Sequence, residues 1–323
     1  MSSPFPTAGP LGGDGAVIVA EGVRKVFKSQ RRSVTALAGV DLSIGTGLFG
    51  LLGPNGAGKS TLMRIVCTLL EPSAGRVRVL GHDVVKERLA VRKLFGYLPQ
   101  EFGAWRLQRV EEVLDTLAIL SGLRDRPRRR ERIREVLESV GLDEVGDRKV
   151  KQLSGGMVRR LGVAQALIHE PRILVVDEPT VGLDPEERLR FRQLMARLGQ
   201  ERTIVLSTHI VADLGSGCQD LALLDAGEVV YRGSPAALLE AAVGQVFETT
   251  VAAHGGEESL GEGVEIVSRA PDGVGVRIRG VAPDGALPAG STPAAAPTLE
   301  EAYLAFMARR GRAHAARREE AAP

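Results

Sequence analysis

Residues 53 to 61 read Gly-Pro-Asn-Gly-Ala-Gly-Lys-Ser-Thr, a glycine-rich loop matching the pattern G-x-x-x-x-G-K-[ST]. Gly53, Gly56 and Gly58 allow the backbone to wrap closely around an anion, with Pro54, Asn55 and Ala57 filling the turn between them. Lys59 is placed to reach the β- and γ-phosphates of a nucleoside triphosphate, Ser60 to ligate Mg²⁺, and Thr61 to complete the loop. A second chemical element lies far along the chain, where the apolar run Ile173 to Val176 ends in Asp177 and Glu178. Acids at the carboxyl end of a buried strand suit phosphate chemistry. Asp177 can hold magnesium directly or through water, and Glu178 can act on an attacking water.

These groups need a scaffold. Leu48 to Leu52 enters the glycine loop as a buried strand, and Leu62, Ile65, Val66 and Leu69 follow at helical spacing. A helix start there offers free N–H groups and a positive dipole end to phosphate. Ala16 to Ala20 and Val34 to Ile44 read as antiparallel strands around a charged loop at Lys28 to Arg32, and Arg76 to Leu80 as a half-buried strand. Between Arg106 and Glu170 the pattern is helical, with Val110, Val113, Leu114 and Leu117 on one face and Ile133, Val136, Leu137 and Val140 on another. Strand-like runs at Thr203 to Ser207 and Leu221 to Leu224 follow Ile173 to Val176, with a helix carrying Phe191, Leu194, Met195 and Leu198 in between. Such alternation predicts a mainly parallel sheet covered on both faces.

The segment Leu153-Ser154-Gly155-Gly156-Met157, about twenty residues before Asp177, closely resembles the signature sequence of ABC ATPases. Other family elements occur in order. Gln100 in Tyr97-Leu98-Pro99-Gln100 resembles the Q-loop, Gly182-Leu183-Asp184 the D-loop, and His209 in Ser207-Thr208-His209 the switch histidine. The resemblance covers roughly residues 17 to 240 and is fullest toward ATPase subunits of bacterial exporters for drugs, antibiotics or lipids. Met157 stands where glutamine is commonest, and Phe27 where an aromatic, commonly tyrosine, stacks on adenine.

The resemblance implies ATP and Mg²⁺ as cofactors, with Ser60, Gln100 and Asp177 at the metal. Phe27, the loop from Gly53 to Thr61, Gln100, Ser154, Gly155, Gly156, Asp184 and His209 would lie at the nucleotide, and Glu178, His209, Gln100 and Lys59 would serve catalysis. It further implies a homodimer that clamps ATP between Lys59 of one copy and Ser154 to Gly156 of the other. A separate membrane-spanning permease would hold the subunit at the inner face of the membrane. A soluble ABC-type ATPase acting on ribosomes or DNA is the alternative. Translation-type members usually join two cassettes, and chromosome-type members insert a long coiled coil before the signature; the sequence has neither feature.

Composition agrees with an α/β protein of this size. The 323 residues are 44% hydrophobic and carry a formal charge of +2, which gives no electrostatic case for a dedicated nucleic-acid binder. No apolar stretch approaches the roughly 20 residues of a membrane-spanning helix. Cys67 and Cys218 lack metal-ligand spacing and read as small core residues suited to a reducing cytoplasm. His82, His169, His254 and His314 read as structural. The basic stretch Arg126 to Arg134 reads as a solvated helix face, with Arg128 and Glu131, and Arg132 and Glu135, at pairing distance. Phe102 and Trp105 are either exposed contacts for a membrane partner or packed inside.

The expected fold is thus a P-loop NTPase core of the ABC ATPase kind over residues 16–244, with an antiparallel β subdomain and a helical subdomain at about 101–170. A small C-terminal α+β accessory module is expected over residues 245–310, with disordered tails at 1–15 and 311–323. Within that module, Val264 to Val267 and Val274 to Ile278 flank Pro271-Asp272-Gly273 as a hairpin, and a linker runs from Val281 to Pro297. Thr298 then caps a short helix, with Glu301 at the reciprocal position and Leu299, Tyr303 and Phe306 on one side.

Overall fold

A computed structural model describes residues 15–29, 32–103, 105–252, 260, 261, 263–273 and 275–320, with side chains as far as Gly311. Residues 1–14 of the tail expected over 1–15, and His254, lie outside the described residues, as does the His314 side chain. The chain divides into two compact units, the first ending at Arg232.

In the first unit, β1 (Ile18–Lys28), β2 (Ser33–Ile44), β4 (Ala74–Val79) and β5 (His82–Asp83) form an antiparallel sheet in the order β2-β1-β4-β5. Their inward positions, among them Val23, Leu37, Val40, Val77 and Val79, are buried, as alternation requires. The second sheet contains β3 (Leu48–Leu52), β6 (Phe95–Leu98), β7 (Ile173–Asp177), β8 (Thr203–Thr208), β9 (Cys218–Asp225) and β10 (Glu228–Gly233), in the order β10-β9-β3-β8-β7-β6. The five strands from β9 to β6 in that order are parallel. Every residue of β3, β7 and β8 is buried, which explains why they read as continuous apolar runs.

Helices α1 (Lys59–Val66), α2 (Arg88–Leu94) and α6 (Pro185–Leu198) belong to this unit, together with the helical segment α3 (Val110–Leu120), α4 (Arg126–Val140) and α5 (Gly155–Leu167). Leu69, expected on the apolar face of α1, lies past its end and is exposed, because the helix closes at Cys67. The predicted inward faces of α3 and α4 are buried except for Leu117, which is half-buried. Asp125 caps α4 by accepting from the Arg128 N–H at 2.9 Å, and Gly141 ends the helix at φ 66°. The basic face pairs as expected, Arg128 with Glu131 at 3.1 Å and Arg132 with Glu135 at 3.0 Å. Arg132 also donates to the Leu167 and Ile168 carbonyls, joining α4 to the end of α5. Both cysteines are buried free thiols, and desolvation pushes the Cys218 thiol up to about 12.

The second unit begins at Gly233, earlier than residue 245, because α7 (Pro235–Ala241) packs against α8 (Leu299–Glu320). Its antiparallel sheet has the order β12-β13-β11-β14, from β11 (Val246–Ala252), β12 (Glu265–Asp272), β13 (Gly275–Val281) and β14 (Thr292–Pro293). The expected hairpin is present, but Pro271 and Asp272 belong to β12 and pair with Val276 and Gly275 instead of forming the turn; Phe247, Leu260, Ile278 and Ala282 form a small core. Two expectations fail. The stretch from 281 to 297 is not a plain linker, since Thr292 and Pro293 add an edge strand beside Glu248 and Phe247, the position in a sheet that tolerates proline. Nor does the helix stop near Arg310; alanine, arginine and glutamate are strong helix formers and carry it to Glu320. Thr298 forms the expected capping box: its N–H donates to Glu301 Oε2 at 2.7 Å, and the Glu301 N–H donates to Thr298 Oγ1 at 3.2 Å.

Candidate functional site

Four neighbouring parallel strands deliver the candidate residues at their carboxyl ends: β3 leads to Gly53, β8 to His209, β7 to Glu178 and β6 to Gln100. The ends are level, with Leu52 opposite Thr208 and Asp177 opposite Ser207. Loops leaving that edge of a parallel sheet form the crevice in which such folds bind ligands.

The glycine loop wraps tightly. A side chain at Gly53 would meet the Leu224 carbonyl at 2.1 Å, so only glycine lets β3 pass under the loop beside β9. The first intrahelical bond of α1 runs from the Leu62 N–H to the Gly58 carbonyl. The N–H groups of Lys59, Ser60 and Thr61 therefore precede the helical ladder and can serve an anion. Lys59 is buried at 4% exposure, and its Nζ donates to the Gly53 carbonyl at 2.7 Å and the Pro54 carbonyl at 3.1 Å.

Lys59 Nζ also lies 3.2 Å from Glu178 Oε1, and the other oxygen of the same carboxylate meets His209 Nδ1 at 2.7 Å. Glu178 is 6% exposed and holds a left-handed backbone at φ 45°, a conformation costly for a residue with a side chain and one that concentrates at functional positions. Its N–H donates to the Ser207 carbonyl at 2.9 Å, which fixes the turn after β7. The structure thus brings three of the predicted residues together as one chain of contacts.

The donor set fits magnesium. Asp177 is 1% exposed, and its Oδ1 has no hydrogen-bond partner, an arrangement a divalent cation would satisfy. Asp177 also helps raise the Tyr97 phenol to about 12, after desolvation, the larger cause. Ser60 stands half-buried at the start of α1. Among the described residues no cluster of three His, Cys, Asp or Glu side chains could hold a metal alone.

The remaining predicted residues stand apart. Gln100 is exposed, and its carbonyl accepts from Arg159 Nη1 of α5 at 2.6 Å, so the helical segment grips the backbone of this loop. Ser154 caps α5, accepting from the Met157 N–H at 3.2 Å, and leaves Gly155 exposed beside it. Asp184 caps α6, accepting from the Glu187 N–H at 2.9 Å. Phe27 is 45% exposed with Lys25 Nζ 5.2 Å above its ring. Phe102 packs on Gly162 of α5, whereas Trp105 is exposed. Among the described residues, no hydrogen bond or ion pair joins Ser154 to Gly156 with Lys59, Glu178 or His209. Sequence reasoning missed Arg159, Thr180 and Asp213. Asp213 lies four residues beyond His209 between apolar neighbours, a buried acid that only the tertiary structure reveals.

A phosphate loop, a paired acid and a histidine at adjacent strand ends, beside a helical segment inserted before β7, define a P-loop ATPase of the cassette type. The chain belongs to the ABC ATPase family: the family model described as ABC transporter matches residues 37–181. The chain is 37% identical over 246 residues to the probable multidrug ABC transporter ATP-binding protein YbhF of Escherichia coli (strain K12), covering 76% of this chain. It spans 42% of that relative's length. It is 39% identical over 219 residues to the daunorubicin resistance ATP-binding protein DrrA3 of Streptomyces coeruleorubidus, covering 67% of this chain and 68% of that one. Among solved structures, the bacterial ABC transporter cassette MJ0796 in dimeric form superposes with a TM-score of 0.61 at 28% identity, covering 67% of this chain and 98% of that chain. A second structure of that cassette is a post-hydrolysis dimer bound to ADP and Pi, with the same TM-score of 0.61. Among the described residues no helix is long and apolar enough to cross a membrane.

Proposed function

We propose that the chain is the ATP-hydrolysing subunit of an exporter-type ABC transporter, working as a homodimer at the inner face of the membrane on a separate membrane-spanning permease. The carrying observation is the convergence of Lys59, Glu178 and His209 at one end of a parallel sheet, directly beside the free N–H groups of α1. The drug-related names of the relatives YbhF and DrrA3 support an exporter.

On this reading Lys59 turns from the Gly53 and Pro54 carbonyls to the outer phosphates of ATP, with the N–H groups of the loop around them. Ser60, Asp177 and Gln100 would hold Mg²⁺, which when bound would neutralise charge on the phosphates. Glu178 orients and deprotonates water, and His209, already bonded to it, lies within reach of the γ-phosphate. Phe27, 45% exposed, stacks its ring on adenine. The partner copy brings Ser154, Gly155 and Gly156 on the positive end of α5 to the same phosphate, and Asp184 lines the join. The exposed Trp105, in the segment following Gln100, supplies an apolar contact for the permease.

Glu178→Gln tests the site. It keeps the shape but cannot take a proton, so it should bind ATP while turnover falls about 10²- to 10⁴-fold. Turnover at the wild-type rate would sink the assignment. Purification from membranes should bring a multi-span hydrophobic protein along; ribosomes or DNA in its place would overturn the transporter reading.

A further inference from the structure

Asp213 lies on the 3₁₀ turn Val211–Leu214 and is 1% exposed. Its Oδ2 accepts from Thr208 Oγ1 at 2.9 Å and also from Thr180 Oγ1. Thr208 directly precedes His209, and Thr180 lies two residues beyond Glu178. Thr208 Oγ1 in turn accepts from the Ile210 N–H at 2.9 Å, so the backbone on both sides of His209 is tied to one carboxylate. A third element joins them. Arg188 Nε of α6 faces Asp213 Oδ1 at 3.7 Å, neither atom having a hydrogen-bond partner, and Arg192 Nη1 donates to the Ala212 carbonyl at 2.8 Å.

A buried carboxylate is costly unless its partners are well placed, so this group is held by what it organises. Its two hydroxyl donors come from the loop after β7 and from the last residue of β8, which adjoin Glu178 and His209, the pair that meets at 2.7 Å. We infer that Asp213 is a positioning residue for hydrolysis, a buried clamp that keeps the loop of Glu178 and the loop of His209 in mutual register. The inference rests on the roles proposed above for those two residues. Misplacement of a reacting group by about 1 Å can cost about 10²-fold in rate without changing substrate binding.

The test uses the full chain carrying Asp213→Leu, Asp213→Asn, Thr180→Val or Glu178→Gln. It reads kcat and KM for ATP, nucleotide affinity by direct titration, and the thermal midpoint. Asp213→Leu should lose about 10²-fold in kcat with nucleotide affinity within about twofold of wild type. Asp213→Asn should recover most of the rate, because an amide oxygen accepts from both threonines. Thr180→Val removes one hydroxyl at constant shape and should lose about tenfold in kcat alone, which keeps the test decisive if Asp213→Leu does not fold. Wild-type turnover in Thr180→Val and Asp213→Leu overturns the inference. So does a loss of kcat matched by an equal loss of nucleotide affinity, the result of merely structural support. Glu178→Gln separates the two levels: if it turns over normally, the site reading itself fails. If it is dead while the threonine and aspartate variants are fully active, only the clamp fails.

Discussion

Glu178 serves two partners from one buried carboxylate, Lys59 on one oxygen and His209 on the other. Both members of the Lys59–Glu178 pair are almost wholly excluded from solvent, so each depends on the other for compensation of its charge. Removing one side leaves an acid with the histidine alone. Lys59→Met should therefore cost about 3 kcal/mol, which for a unit of this size lowers the thermal midpoint by about 6 °C or more. Calorimetry of the purified variant checks this, and an unchanged midpoint would show that the pair is not maintained in solution. The same variant should lose ATP binding, since no other ammonium stands in the loop. Glycine loop and acid pair were legible in the sequence because each sits where an apolar run stops, and His209 because Ser207-Thr208-His209 resembles the family's switch histidine. Asp213 and Arg159 were not, since nothing local distinguishes a buried acid or a gripping arginine from a solvated one.

At the scale of elements, the accessory unit has a charged hinge pin of its own. Arg279 on β13 donates through Nη2 to Glu301 Oε2 at 3.0 Å and also reaches Glu248 on β11, joining α8 to two strands. Desolvation alone would raise the Glu301 carboxyl, but the Arg279 hydrogen bonds together with the Thr298 donors bring it below its ordinary value. A lowered carboxylate stabilises the fold above its unfolded value, and that contribution disappears as pH falls through the folded one. Acid unfolding of this unit should accordingly set in below about pH 4, and Glu301→Gln should flatten the dependence there while weakening the unit at neutral pH. Circular dichroism across an acid titration reads both effects; an identical profile in wild type and variant would contradict them. The capping box at Thr298 was readable from two residues three apart. The length of α8 and the edge strand at Thr292–Pro293 were not, because a proline-rich stretch and a charged terminus both look unstructured until a partner surface is supplied.

For the molecule as a whole, Ser154 and Gly155 are exposed at the start of α5, with no hydrogen bond or ion pair to Lys59, Glu178 or His209 of their own chain among the described residues. A bulky cation there removes the α5 cap, a cost of about 1 kcal/mol to the monomer, and should otherwise interfere when two copies meet. Ser154→Arg is expected to leave the monomer folded and ATP-binding, yet to abolish the ATP-dependent dimer that Glu178→Gln should accumulate, as measured by light scattering. Dimerisation of the doubly substituted chain at wild-type affinity would argue against a shared nucleotide. Four of the five parallel strands were recognisable from their apolar runs, but β6, a short run broken by Gly96, was not, nor was the strand order, since side-by-side placement depends on connections that leave no local trace. That order has a consequence during synthesis. The central strand β3 pairs with β8 and β9, which emerge from the ribosome some 150 residues later, so the Leu-Phe-Gly-Leu-Leu segment waits with both edges unsatisfied through about half of the chain's synthesis. A nascent chain halted before Thr203 holds an adhesive, unfinished sheet, the interval in which a cellular chaperone has most to shield.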